Sequence, residues 1–468
     1  MKKKISLLLL SLGSLFQHAL SQKATDPVLQ KAIFAMGTAY LKSVQYSGTG
    51  KSGVLGQSHE AGSHWPMLII KSDTMMVDYT NMTLYEVMVR VYNNPPDKGG
   101  GAPFLGEDRR TNIVRSFPNS PDSMEERHLQ LLINPHGFLR QAVTSKTEVK
   151  NLKDGAEISF NAGKYKLVGK INDQNLVENV KTWVANDVLG DMLIETIYSD
   201  YKEYNGIKFP GKIVQISGDF PVLDLTVTDV RPNEIVHLPA APSAPAPQPI
   251  ALDPKKIADH IWFLPGGANS LLVEFSDYVA VFDAPANEAR SLAIIAEVKK
   301  LVPGKPIKYI VNSHHHFDHS GGLRTYVAEG ATVVTHAGNV KFYQDAWRSP
   351  RTLSPDKLAV KSRQAQFVPV SEKYSISDNT NTLELYHNQG SPHNAGMLIG
   401  YFPKDKILFV VDEYSPGRLV NGKLVPVSQG FADNLYANLQ RLHLDISTVA
   451  PGHGIVVPYS EMLRDIGK

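Results

Sequence analysis

A mainly antiparallel β (α+β) region followed by an α/β region is the architecture this sequence predicts, on three observations. An uncharged run rich in Pro and Ala, from Pro239 to Pro249, interrupts the chain. Before it, apolar and polar residues mostly alternate with a period of two, the mark of half-buried strands. After it, strand-like apolar runs alternate with segments of helical spacing, the pattern of α/β folds.

A Pro/Ala-rich stretch favours extended polyproline conformation and acts as a semi-rigid spacer. It sets a linker at 239–254 between an N-terminal domain at 22–238 and a C-terminal one at 255–468. Two domains also suit 468 residues at roughly 100–200 residues per domain. In the first, residues 26 to about 44 read as a helix, with Pro27 in the first turn. Strands are expected at 67–70, 74–79, 212–216 and 223–230. Tyr204-Asn205-Gly206-Ile207 reads as a turn between two strands, with Asn-Gly at its centre. Residues 93–110, rich in Gly and Pro, read as a long loop. This half shows no internal repeat and no catalytic motif, so its role stays unread.

The chain starts with Lys2, Lys3 and Lys4, followed by an apolar stretch at 5–16 and the small-x-small site Ala19-Leu20-Ser21. That is the pattern of a secretory signal peptide at 1–21, so the protein is expected to be exported, periplasmic or extracellular. No later stretch is long and apolar enough for a transmembrane helix. Composition is globular, with 42% hydrophobic and 20% charged residues. A net charge of +2 gives no electrostatic case for nucleic acid or an anionic membrane as partner. There is no cysteine, which excludes thiolate ligands and Cys nucleophiles; a metal site must be built from His, Asp and Glu.

In the second half, strands are expected at 271–275 and 279–283, paired around Ser276-Asp277, and a helix at 288–301. A strand at 308–312 runs directly into Ser313-His314-His315-His316-Phe317-Asp318-His319-Ser320-Gly321-Gly322. Further strands are expected at 331–335, 383–386, 397–401, 407–411 and 448–450, and a helix at 431–442. Functional groups concentrate in loops at strand ends. Side chains on an extended segment alternate, so His314 and His316 can converge on one ion. After a tight turn, Asp318 and His319 can face a second position. Neutral imidazoles and a carboxylate are the ligands that Zn²⁺ and related ions prefer. One loop cannot complete two coordination spheres, and three more candidates stand at strand ends: His393, Asp412 and His453.

With these residues in this order, the C-terminal half resembles the metallo-β-lactamase superfamily, whose leading motif His-x-His-x-Asp-His reads here His314-His315-His316-Phe317-Asp318-His319. The resemblance runs from Asn269-Ser270 and Asp283 to Pro451-Gly452-His453-Gly454. It implies an αββα sandwich with the metals at one edge, between the two sheets. It implies His314, His316 and His393 on a first metal and Asp318, His319 and His453 on a second. Asp412 takes the place of the bridging aspartate of glyoxalase-II-like and lactonase-like members. True β-lactamases lack an Asp there, so Asp412 argues against a β-lactam as natural substrate. Asp283 is expected to support the ligands rather than bind metal.

The implied cofactor is two divalent ions, with zinc the expected metal, and the implied partner is a small-molecule substrate. Two ions about 3.5–4 Å apart can share a hydroxide and polarise a carbonyl, with Asp318 orienting the hydroxide and shuttling its proton. The implied reaction is hydrolysis of an ester, lactone, thioester or amide. Tyr414 and Arg418 follow Asp412 closely and are candidates to reach substrate. His315 should point away from the ions. His336, His387 and His443 read as surface or supporting residues, and His59 and His64, near Trp65, as structural ones. Residues 348–380 and 413–430 are candidate pocket walls. Two other readings stay open: an iron-dependent sulfur or oxygen redox enzyme of the same fold, and a metal-binding module without catalysis. Nuclease function, a further option within the fold, is disfavoured by the near-neutral charge.

Overall fold

The structure is a computed structural model that describes residues 26–100, 128–234, 250–417 and 428–468, and the backbone of strands Thr111–Arg115, Leu419–Val420 and Lys423–Leu424. The expected signal peptide, most of the linker and Arg418 lie outside the described residues, as does the second half of the expected loop at 93–110.

Among the described residues, the N-terminal region holds one sheet of eleven antiparallel strands and a separate two-stranded hairpin. The chain lays down strands from Ser43–Gly53 to Thr111–Arg115 as one arm. It then crosses to the far edge at Glu148–Leu152 and returns strand by strand, until Phe220–Pro232 pairs with Ser43–Gly53. Alternate residues face one apolar core; in Gly190–Ser199 these are Met192, Ile194 and Tyr198. Helices Pro27–Met36 and Pro135–Thr144 pack into the same core. A cavity of about 850 Å³ walled by residues such as Tyr46, Met75, Met88 and Leu225 lies there, away from the histidine cluster.

Two local expectations change. The first helix spans Pro27–Met36 rather than 26–44, because Gly37 takes the left-handed cap (φ 69°) and a strand begins at Ser43. The two short strands expected at 67–70 and 74–79 are one strand, Met67–Asp78. Its register shifts between Ile70 and Ser72, which breaks the alternation a reader follows. The helix Pro135–Thr144, capped by Asn134, is one of the few helices expected beside this sheet, at a position the sequence pattern does not mark. The Asn205-Gly206 hairpin forms as read, with Tyr204 paired to Ile207 and positive φ at both turn residues.

The C-terminal region is an αββα sandwich. One sheet has seven strands, from Lys255–Ala258 to Phe367–Val370 in chain order, antiparallel at first and parallel from Val279–Phe282 onward. The other has six, from Lys373–Ser377 to Val457–Pro458, with a parallel pair where Ile407–Val410 meets Thr448–Pro451. The sheets bury a shared apolar layer, in which the rings of Phe282 and Phe409 lie 4.7 Å apart. Burying each such side chain contributes roughly 1.5–3 kcal/mol. Helices Glu288–Leu301, Leu323–Glu329 and Ala337–Ala346 cover the outer face of the first sheet. Gln429–Leu442 and Tyr459–Asp465 cover the second. No helix among the described residues is long and apolar enough to cross a membrane.

Candidate metal centre

The anticipated residues sit just past strand ends at one edge of the sandwich. Asp283 follows Val279–Phe282, His314 and His316 follow Ile307–Val311, Asp412 follows Ile407–Val410, and His453 follows Thr448–Pro451. After His316 the chain turns into one helical turn, Phe317–Ser320, which swings Asp318 and His319 to the other side of His314. That turn is braced from behind: Ala286 N donates to Asp318 O and Ala284 N to His319 O. The bracing segment comes so close that a Cβ on Gly321 would lie 1.8 Å from Ala286 O, so the motif's first glycine is a packing requirement.

Two groups of potential ligand atoms result, His314, His316, His393 and Asp412 in one, Asp318, His319, Asp412 and His453 in the other, each with its atoms within 4.8 Å of one another. Asp412 belongs to both. Its Oδ2 is 2.9 Å from His393 Nε2 and 3.3 Å from His314 Nε2, while its Oδ1 is 2.9 Å from His453 Nε2. His314 Nε2 lies 3.3 Å from His393 Nε2, and His319 Nε2 lies 3.1 Å from His453 Nε2.

The outer nitrogens show which atom each ring turns inward. His316 Nε2 donates to Ser58 O at 2.9 Å, His393 Nδ1 to Gly100 O at 2.6 Å and His453 Nδ1 to Gly267 O at 2.8 Å. A carbonyl only accepts, so each of these rings carries a proton on its outer nitrogen and turns its other nitrogen to the cluster. His319 Nδ1 does the same toward Asp283 Oδ2 at 3.0 Å. Ser313 Oγ spends its hydrogen on Asp283 Oδ2 and so accepts from His314 Nδ1. Asp283 is held for this task in the left-handed region (φ 64°) and also accepts from Ser313 N at 2.7 Å. Such backbone strain costs about 1–3 kcal/mol and persists only where the surroundings impose it.

This arrangement fits metal ions. His316 Nδ1 is buried with no hydrogen-bond partner, and ring nitrogens and carboxylate oxygens gathered at such close range suit a cation between them. Burial holds the His314 ring down to about 4 and His316 well below its ordinary range, so both are neutral bases at pH 7. Burial also opposes charge on Asp412, but His319, His453 and His393 around it hold the carboxylate well below its ordinary range. For His319 burial works downward, and Asp412 and Asp318 overcome it, so the ring is held well above its ordinary value.

The other residues singled out in the sequence fall elsewhere. His315 turns away, its Nε2 at 3.0 Å from Ser58 Oγ and its Nδ1 at 3.0 Å from Asn394 Nδ2. Tyr414 does not offer its hydroxyl to a ligand: it is 1% exposed in the core under the second helical layer, and donates to Asp465 Oδ2 at 2.8 Å. The apolar contacts of its ring draw it inward. His336 and His387 pack on each other, 4.4 Å between rings, and His443 caps Gln429–Leu442. His64 packs on Phe220, and His59 Nε2 donates to Ser391 O at 2.9 Å. Of the candidate walls, 348–380 holds the short helix Lys357–Lys361 and two strands, and most side chains of 413–430 lie outside the described residues.

The sequence reading missed every contribution of the N-terminal region: Ser58 and Gly100 through their carbonyls, and Gln57, whose Nε2 donates to Asp318 Oδ1 at 2.8 Å. Nothing local to Gln57 marks it. It also missed Glu413, fully buried beside Asp412 and held by Ser391 Oγ and Asn388 Nδ2.

Residues 264–453 match the family model described as the metallo-beta-lactamase superfamily. Solved structures similar to this chain include a metallo-beta-lactamase from Pontibacter korlensis, 20% identical, covering 46% of this chain and 98% of its own, with a TM-score of 0.36. FIM-1 from Pseudomonas aeruginosa, in its mono-zinc form, is 18% identical over 47% of this chain and 96% of its own, TM-score 0.36. A metallo-beta-lactamase from Hirschia baltica is 19% identical over 46% and 95%, TM-score 0.33. No curated protein matches the chain. The match over residues 264–453, which takes in every member of both ligand groups, identifies the C-terminal region as a member of the metallo-β-lactamase superfamily.

Proposed function

We propose that this chain is an exported metal-dependent hydrolase that uses two divalent ions, zinc by preference, to add water to a carbonyl of an ester, lactone, thioester or amide. One observation carries the reading: the buried carboxylate of Asp412 is shared by two four-residue groups, each of a composition that suits such an ion. His314, His316, His393 and Asp412 would hold the first ion, and Asp318, His319, Asp412 and His453 the second. When bound, such ions supply a nucleophile at neutral pH and stabilise the charge that develops on a carbonyl oxygen.

The chain's own residues do the remaining work. The outer partners Ser58, Gly100, Gly267, Ser313 and Asp283 each engage the outer nitrogen of a ring, which leaves the inner nitrogen as the atom that would meet an ion. Asp318 differs from the rest of the set, since its side chain is 48% exposed while His314, His319, His393 and His453 are nearly fully buried. That is the side from which substrate arrives. Burial works against its charge, yet His319 holds Asp318 below the ordinary carboxylate range, so it is ionised at neutral pH. Asp318 then accepts the proton released as water adds to the carbonyl, and returns it to the leaving group.

Export rests on the basic and apolar segment at residues 1–21. Asp412, in the place that glyoxalase-II-like and lactonase-like members fill with a bridging aspartate, favours ester, lactone or thioester over β-lactam. The test is a hydrolase screen of the zinc-loaded mature chain across ester, lactone, thioester and β-lactam substrates, with His316→Ala and Asp318→Ala alongside. Activity lost in both variants supports the reading; activity surviving both overturns it. Metal analysis of protein purified without added metal separates it from iron-dependent redox chemistry.

A further inference from the structure

The N-terminal region reaches the metal-ligating residues through two short segments. The loop between Ser43–Gly53 and Met67–Asp78 places Gly56, Gln57, Ser58 and His59 over the His314–His319 motif. Gly99 and Gly100, from beyond strand Thr83–Val91, lie beside it. The two segments hold each other, since Gly100 N donates to Gln57 O at 2.9 Å and Ser58 bridges to Gly99. Both also hold the C-terminal region: Phe317 N donates to Gly56 O, Gly99 N to Pro392 O and Ala395 N to His59 O, at 3.2, 2.9 and 2.9 Å. Phe317 lies in the gap between the motif's two halves, edge-on to Trp65 at 5.8 Å, and a Cβ on Gly56 would be 2.4 Å from its ring. The loop is therefore seated on the motif by backbone bonds and a fitted ring, and its position is not free to drift.

Against that seat, one side chain reaches an acid of the site. Gln57 Nε2 donates to Asp318 Oδ1 at 2.8 Å, and the other oxygen, Oδ2, points inward, 3.5 Å from His319 Nε2 and 4.0 Å from His453 Nε2. A carboxylate only accepts, so the amide nitrogen is the end of Gln57 that faces it. Asp318 is also the half-exposed member of its group, on a one-turn helix with no side-chain cap. Without an outer partner it has rotamers that carry Oδ2 away from the cluster.

We propose that Gln57 is a positioning residue for Asp318, and that the N-terminal region is by this contact a working part of the metal centre. The inference rests on reading Asp318, His319, Asp412 and His453 as an ion-binding group. Gln57 holds one carboxylate oxygen outward so that the other stays turned to His319 and His453. The second ion's affinity thus depends on a residue 261 positions away in the chain, while the group of His314, His316 and His393 does not need it.

The test is Gln57→Leu in the full chain, which keeps the side chain's bulk and removes its donor. Zinc affinity is read for each ion by chelator competition, and the cobalt-substituted protein by its absorption spectrum. The expected result is a second-ion affinity weaker by about 10–100-fold, the usual effect of losing an outer-shell partner. The first ion's affinity should be unchanged and the cobalt spectrum altered for the second equivalent alone. Glu60→Ala, at the exposed crown of the same loop, should leave both affinities unchanged. Equal affinities in Gln57→Leu and the parent overturn the proposal, as does an equal loss of both ions, or the same loss in Glu60→Ala, since each assigns the effect to the loop at large. A parent chain that takes up no divalent ion overturns the proposed function first, and is told apart by that.

Discussion

His319 Nδ1 lies 3.0 Å from Asp283 Oδ2, and both side chains are fully buried. Asp283 also takes both the backbone and the hydroxyl hydrogens of Ser313. One carboxylate thus orients His319 directly and His314 through Ser313. Asp283→Asn keeps the shape but sets an amide donor against a ring nitrogen that must itself donate. Metal affinity should fall by about 10–100-fold, read by chelator competition. An unchanged affinity would show that His319 is oriented by its packing alone.

Asp412 is common to both ligand groups. Asp412→Ala should therefore lower the bound metal below two equivalents, measured by elemental analysis after dialysis. Loss of a residue serving one group would leave the other intact. Two equivalents retained in Asp412→Ala would mean the groups do not share it.

Gly56 combines φ 79° with contact against the Phe317 ring. Placing Ala there costs about 1–2 kcal/mol for the left-handed backbone, and the ring or the loop must also move. Gly56→Ala should destabilise the chain by at least that amount in denaturant unfolding. A smaller loss would show that the loop relaxes freely and that its seat on the motif is loose.

Acid stability should depend on His136, which stacks on Phe209 in the N-terminal core. The ring is fully buried between Thr38 Oγ1 and Lys208 O, at 2.8 and 3.0 Å. Burial holds it down to about 3 from an ordinary 6.5. Above pH 6.5 the ring is neutral in both folded and unfolded chains and has no effect. Below it the unfolded chain takes up a proton that the folded chain refuses. Stability is therefore lost as pH falls from 6.5 toward 3, by about 1.4 kcal/mol per pH unit. Denaturant curves at pH 7, 6, 5.5 and 5 should show a slope shallower by about that amount in His136→Gln. Equal slopes would mean the ring is not buried neutral.

Tyr414→Phe should leave catalysis unchanged and cost about 0.5–1.5 kcal/mol of stability, the net worth of its hydrogen bond to Asp465. A raised KM with no loss of stability would return Tyr414 to the substrate's side.

Much of the C-terminal region was legible because its signals are local. An apolar run such as Ile307–Val311 announces a buried strand, and residue types alone mark His314, His316, Asp318 and His319 as metal donors. The N-terminal sheet was legible as alternating pattern, but not as eleven strands in one order. Its register shifts at Gly48 and Ile70 break the period a reader follows, and the pairing of the first strand with the last leaves no local mark.

The sequence by itself determined the supply of donors, their order along the chain and their place after strands, because periodicity and residue chemistry act over a few residues. Only the tertiary structure decided that Asp412 stands between both groups, which nitrogen each ring turns inward, and that Gln57 meets Asp318. Those outcomes join residues as far as 293 positions apart. They follow from how two sheets and a loop pack together, and packing distributes its information over the whole core rather than writing it beside the residues it brings together.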